Sequence, residues 1–224
     1  LEEFPGEILT IREKSNQHSR HHEGLKPAVR QLWGERLDHV EVRERGVRMN
    51  VDLLNGQKTG MFLDMREMRS VVGRLAAGRR VLDCFCYIGG FSLYAARGGA
   101  TSTTSVDLAP QAVENCRRNF ELNELPLDKA SFLVDDVFAY LGRQDLEFDL
   151  VVLDPPAFAK RKEHLDRAQR AYREINRLAL QRMPHGSLLL TCSCSSHLTR
   201  PVFEATVARA VQESGRRVRI IGRQ

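Results

Sequence analysis

Leu150-Val151-Val152-Leu153 runs into Asp154-Pro155-Pro156, an apolar strand that ends on a carboxylate and two prolines. Proline has no amide hydrogen and a fixed φ, and the residue before it is pushed into extended geometry. Asp154 is therefore held stiffly at the strand's carboxyl end. In an open α/β sheet that edge is where ligands bind. A Pro-rich turn without a ligand is the alternative reading of the same residues. A second apolar run, Leu188-Leu189-Leu190-Thr191, delivers Cys192-Ser193-Cys194-Ser195. If the two runs are neighbouring strands, a thiol and a carboxylate share one cleft. A free cysteine there is either a nucleophile or a small buried hydrophobe, and Cys192 and Cys194, two apart, compete for the same side.

Three more groups add to this edge. Val81-Leu82-Asp83-Cys84-Phe85-Cys86-Tyr87-Ile88-Gly89-Gly90-Phe91 puts glycines where a strand turns into a helix, so that backbone can approach a ligand. Tyr87 stands where G-x-G-x-x-G has its first glycine, which argues against a pyrophosphate cradle and a nicotinamide dehydrogenase. Val106-Asp107 ends the next strand with an acid placed for both hydroxyls of a ribose. Val134-Asp135-Asp136-Val137-Phe138 then offers a carboxylate to an exocyclic amine. Each acid alone reads equally well as a helix N-cap. Together the four groups describe a nucleoside cofactor without phosphates, and S-adenosylmethionine fits best.

The elements that must position these residues alternate regularly. Expected strands span Arg80 to Cys84, Thr103 to Val106, Ser131 to Val134, Phe148 to Leu153, Ser187 to Thr191 and Arg217 to Ile221. Expected helices run from Asp64 to about Ala77, Phe91 to Arg97, Pro110 to Leu122, near Asp166 to Met183, and Pro201 to Ser214. Such alternation predicts an α/β fold, a Rossmann-like parallel sheet with helices on both faces. Ahead of it, a β-like run at Ile8 to Arg12 and a hairpin from His39 to Leu53 around Arg45-Gly46 predict a small β-rich region over residues 1–56, followed by a ligand-binding domain over 57–224. The first residue is Leu, and a strand at 217–221 would leave an open sheet edge, so a longer parent chain is expected.

Charged residues make up 28% of the chain and its net charge is +5, with arginine far more frequent than lysine. Planar guanidinium groups suit phosphates and bases, which makes nucleic acid a plausible partner; solvated helix faces are the plainer reading. Without an apolar run of about 18 residues, no membrane contact is expected, and five cysteines in a chain this long point to reduced thiols and a cytoplasmic location. His18, His21 and His22 lack partners at ligand spacing, and C-x-C pairs are unusual for structural zinc, so no metal is expected.

DCFCYIGGF, SVDLA, DDVF, LDPPAF and TCSCSS, preceded by QKTGMFLDMR, resemble the class I RNA methyltransferases, most closely the RlmI-type cytosine-5 methyltransferases of large-subunit ribosomal RNA. The resemblance covers roughly residues 39 to 221 and implies a missing PUA domain and final strand. It also implies that Asp83, Phe85, Tyr87, Gly89 and Phe91 line the methionine side of S-adenosylmethionine, that Asp107 binds the ribose, and that Asp136, or second Asp135, binds the adenine. Lys58, Thr59, Gly60, Phe62 and Arg66 would close over the cofactor, with Arg66 on its carboxylate; an ion pair on the helix surface is the other reading of Arg66. Cys194, at the S-C-S position, would add to carbon 6 of cytosine, with Asp154 at ring nitrogen 3 and Pro155-Pro156 fixing the base. Basic segments from Arg12 to Arg30, Arg43 to Arg48 and Lys160 to Arg173 would hold ribosomal RNA; a homodimer is left open. A guanine nitrogen methyltransferase, needing no thiol, and a non-catalytic RNA-binding module are the alternatives.

Overall fold

The computed structural model describes residues 8–15, 24–143, 146–158, 162–195 and 197–223. The chain forms two compact units, Leu1–Asp64 and Met65–Gln224. In the first, β1 (Thr10–Ser15) pairs antiparallel with β2 (Ala28–Gly34), and β3 (His39–Glu44) with β4 (Val47–Asp52). The expected hairpin turns at Arg45-Gly46, where both residues have positive φ (49° and 81°), the geometry that matches strand twist. Val47, Met49 and Val51 then alternate into a buried face. The run expected at Ile8 to Arg12 forms a strand two residues later, and β2 was not legible because its apolar residues do not alternate. Most of β2 is exposed. Its ladder is reinforced by Arg30 Nε on Glu13 at 2.7 Å and Gln31 Nε2 on Thr10 Oγ1 at 2.6 Å. His18, His21 and His22 lie outside the described residues.

The second unit is a five-stranded parallel sheet of order β7-β6-β5-β8-β9. Its strands are β5 (Arg80–Cys84), β6 (Ser102–Asp107), β7 (Ala130–Val134), β8 (Leu150–Leu153) and β9 (Leu188–Thr191). Around them run α1 (Arg66–Leu75), α2 (Gly90–Arg97), α3 (Pro110–Leu122), α4 (Val137–Arg143), α5 (Leu165–Arg182) and α6 (Arg200–Ser214). Alternation along each strand builds two cores. Leu82, Val151 and Leu153 pack with Val137 and Leu141 of α4 and Ile175 and Ala179 of α5. On the opposite face Val81, Leu150 and Val152 pack with Val72 of α1 and Phe91 and Ala95 of α2. Burial on both faces makes these strands apolar runs instead of half-polar ones.

Two elements differ from expectation. Helix α4 has only 7 residues, too few for a periodic signal, and is started by Asp136, whose Oδ1 accepts from Ala139 N at 2.8 Å. The strand expected at Arg217 to Ile221 is not formed. Val218, Ile220 and Ile221 are 49%, 61% and 68% exposed, and no strand among the described residues pairs with them. Apolar, β-branched residues make a strand only where a ladder partner takes up their backbone groups.

Helices α1 and α2 cross at glycine. A Cβ on Gly98 would sit 1.9 Å from the carbonyl oxygen of Gly73, although its φ of −76° suits any residue. Gly98→Ala should therefore cost about 1–3 kcal/mol by overpacking alone, read as a lower urea midpoint at unchanged m-value.

Candidate active site

The sheet register makes the site. Cys84 is level with Val106 on one side and Leu153 on the other, and Leu153 is level with Thr191. Phe85, Asp107, Asp154 and Cys192 are thus each one step past the same row, at one carboxyl edge. Val134 pairs with Asp107, so Asp135 follows one step further along.

The turn after β5 is tightly wound. Phe85, Tyr87 and Gly89 all take left-handed backbone angles, with φ of 62°, 49° and 83°. Bulky residues rarely do so without outside support. Here Cys86 N donates to Val106 O at 3.1 Å, Tyr87 N to Asp107 Oδ2 at 3.0 Å and Gly89 N to Cys86 O at 2.7 Å. Buried Asn119 of α3 donates its Nδ2 to Ile88 O at 3.0 Å. Gly89 is glycine for two reasons internal to the fold, its φ and the 2.3 Å that would separate a Cβ from Cys116 Sγ. Its small size thus makes room for α3, a packing reason beside the ligand approach expected from the sequence.

Asp83, 1% exposed, accepts through Oδ2 from Ser92 N (3.0 Å) and Ser92 Oγ (2.8 Å), and Ser92 Oγ lies 2.7 Å from Ser105 Oγ. Its Oδ1 is buried with no hydrogen-bond partner among the described residues. Burial chiefly, then the charges of Asp154 and Asp107, push its carboxyl up to about 7, against the lowering effect of Ser92. Asp107 accepts from Tyr87 N through Oδ2 and from Ala109 N, at 3.0 Å, through Oδ1. Each oxygen has a lone pair left. Asp136 caps α4, as the N-cap reading predicts. Asp135 is held by Arg143 (Nη2 to Oδ1, 3.0 Å) and by Asp136 N at 2.8 Å.

Cys194 Sγ lies 3.9 Å from Asp154 Oδ1, so the two strand ends do bring thiol and carboxylate together. Both cysteines of the pair are half-buried; Cys192 stays tied to β8 through its N–H on Leu153 O at 2.9 Å. Pro155 is buried and Pro156 exposed. Phe91, at the start of α2, is buried in the core with Val72, Val81 and Val152.

The remaining expected residues divide. Lys58, Thr59, Gly60 and Phe62 belong to the first unit. There Lys58 Nζ sits 4.9 Å from the Phe62 ring, Thr59 Oγ1 donates to Met61 O at 2.9 Å, and a Cβ on Gly60 would be 2.6 Å from Asp52 O. Arg66 is exposed, 3.6 Å from its chain neighbour Glu67, an adjacent pair and not one at the i,i+3 or i,i+4 spacing of a helix face. Sequence reasoning missed Arg69, one turn on and 4% exposed, whose Cδ would lie 2.9 Å from a Cβ on Gly90. Its signal was its i+3 spacing from Arg66 on the face that carries Val72. Ser92, Ser105 and Tyr172 were missed because a single hydroxyl carries no pattern. Among the basic segments, Arg30 pairs with Glu13, Arg43 and Arg48 with Glu41, and Arg173 with Glu213.

Residues 12–213 match the family model of S-adenosylmethionine-dependent methyltransferases. The chain belongs to that family. It is 42% identical over 224 residues to "Ribosomal RNA large subunit methyltransferase I" of Pseudoalteromonas translucida, covering 98% of this chain and 56% of that protein. The protein of that name from Photobacterium profundum is also 42% identical, over 96% of this chain and 55% of its own length. This chain therefore spans little more than half of the curated relatives it matches. A Streptococcus mutans structure, provisionally described as a SAM-dependent methyltransferase, superposes with a TM-score of 0.72 at 30% identity, over 82% of this chain and 49% of that one. The SAM-dependent methyltransferase of Agrobacterium tumefaciens shares the fold, with a TM-score of 0.70 at 17% identity over 83% of this chain and 62% of that one.

The residues present fit the family's cofactor, S-adenosylmethionine. The molecule is a cation at sulfur and at its amino group, and Asp83 Oδ1 is a buried acceptor with no protein donor among the described residues. A carboxyl whose folded pKa is raised contributes stability that is full below its unfolded value of about 3.9 and lost as pH rises through about 7. Asp83→Asn should therefore flatten that decline, leaving the variant more stable than wild type above about pH 7 while weakening cofactor affinity. Urea unfolding across pH, with calorimetry of cofactor binding, reads both effects.

Proposed function

We infer that this chain is the methyl-transferring part of a cytosine-5 methyltransferase acting on large-subunit ribosomal RNA in the cytoplasm. The observation that carries the reading is the 3.9 Å approach of Cys194 Sγ to Asp154 at the mouth of a methyltransferase sheet. Methylation of a guanine nitrogen needs the D-P-P carboxylate but no thiol beside it.

Asp83 would face the cationic end of the cofactor, Asp107 its ribose hydroxyls, and Asp136, with Asp135 behind it, the adenine amine. Leu108, 68% exposed directly after Asp107, offers apolar surface to the purine ring. Arg66 and the more buried Arg69 are the α1 cations for the cofactor's carboxylate. Once bound, the cofactor supplies the electrophilic methyl group.

Cytosine carbon 5 is too weak a nucleophile unaided. Cys194, as thiolate, would form a bond to carbon 6 and push an electron pair toward carbon 5, which makes that carbon enamine-like. Asp154, as its carboxylic acid, would donate its proton to ring nitrogen 3 and so neutralise the charge that addition creates, while the Pro155-Pro156 backbone fixes the plane of the base. After carbon 5 gains its methyl group, loss of its proton to a base re-forms the double bond and expels the thiolate. The target base must leave its stack to reach this edge.

On large-subunit ribosomal RNA from cells lacking the gene, Cys194→Ala in the full chain should reduce methyl transfer by more than about 10³-fold. Asp154→Asn should cost about 10²- to 10⁴-fold, and Cys192→Ala should leave most activity. Radiolabelled methyl incorporation checks all three, and full activity in Cys194→Ala would instead favour nitrogen methylation.

A further inference from the structure

Tyr172 lies midway along α5, wholly buried, and its hydroxyl is 3.1 Å from Ser195 Oγ. Ser195 follows Cys194 and is itself only 5% exposed. Its backbone closes a small loop, with Ser195 N donating to Ser193 Oγ at 3.3 Å and Leu198 N to Ser195 O at 3.0 Å. The ring of Tyr172 faces the other motif. Phe158, two residues past Pro156, meets it edge to face with centroids 4.8 Å apart. Phe203 of α6 meets it at 5.5 Å, and Ala168 and Leu198 complete the buried cluster. Residues 154–157 and 192–195 form neither helix nor strand, so beyond the bond from Cys192 N to Leu153 O the ladder that aligns β8 with β9 does not itself fix the two loops.

We propose that Tyr172 is a positioning residue that sets Cys194 against Asp154, gripping the D-P-P loop by its ring and the S-C-S loop by its hydroxyl. This rests on the reading of Cys194 as nucleophile. A buried tyrosine hydroxyl is retained where it has a partner, and a phenylalanine at 172 would fill the apolar cluster equally well. The hydroxyl is the part that packing does not require. A nucleophile displaced by about 1 Å can lose up to about 10²-fold in rate although nothing unfolds.

The test uses the full chain and large-subunit ribosomal RNA from cells lacking the gene. Tyr172→Phe keeps the ring and removes the grip on Ser195. It should lower kcat about tenfold at unchanged KM for RNA and unchanged cofactor affinity, while Cys194, no longer held, is alkylated faster by iodoacetamide. Ser195→Ala breaks the same bond from the other side and should reproduce both changes, and the double variant should be no worse than either single one. If Tyr172→Phe and Ser195→Ala keep wild-type kcat and alkylation rates while Cys194→Ser is inactive, the positioning role is overturned and the nucleophile stands. Turnover in Cys194→Ser overturns the nucleophile and this proposal with it.

Discussion

The structure depends on one constraint, the shared register of four parallel strands. Hydrogen bonds between β6, β5, β8 and β9 align Val106, Cys84, Leu153 and Thr191 in one row, so residues far apart in sequence, Phe85, Asp107, Asp154 and Cys192, lie one step past it. A slip of one residue in any strand would reverse which side chains face each core. Leu82 and Val151 could then no longer meet α4 and α5 while Val81 and Val152 meet α1 and α2. The apolar alternation that fixes the cores thus also fixes the site.

Above that edge, the turn after β5 is held against its own preferences. Left-handed Phe85 and Tyr87 each cost about 1–3 kcal/mol, and their surroundings must supply the compensation. Asp107 is central to it, because one oxygen restrains Tyr87 and the other accepts from Ala109. The residue proposed for the ribose is thereby a structural element of the opposite wall. Asp83 carries the converse burden. It is buried with one oxygen that has no partner among the described residues, a cost that a cationic ligand would offset.

Most of the second unit was legible in the sequence because strands buried on both faces read as apolar runs, and Gly and Pro mark their ends. The D-P-P and S-C-S segments fell where that pattern placed them. Helix α4 was hidden by its shortness and β2 by the absence of alternation, while residues 217–221 read as a strand but have no ladder partner among the described residues. Reasoning from residue type placed Asp136 at a helix cap and a ligand with equal weight, and the cap is present. It did not foresee the packing reason for Gly89, whose missing Cβ accommodates Cys116 on α3. A contact set by tertiary packing leaves no local trace, which is also why Arg69, Ser92 and Tyr172 passed unnoticed.

The central claim is that one thiol at this edge bonds to the base. Large-subunit ribosomal RNA transcribed with 5-fluorocytidine cannot lose a proton from carbon 5, so the adduct should persist. Mass spectrometry of the digested full-length complex, formed with S-adenosylmethionine, should then find methylated fluorocytidine attached to Cys194. Attachment at Cys192, or methyl transfer with no stable adduct, would contradict the account.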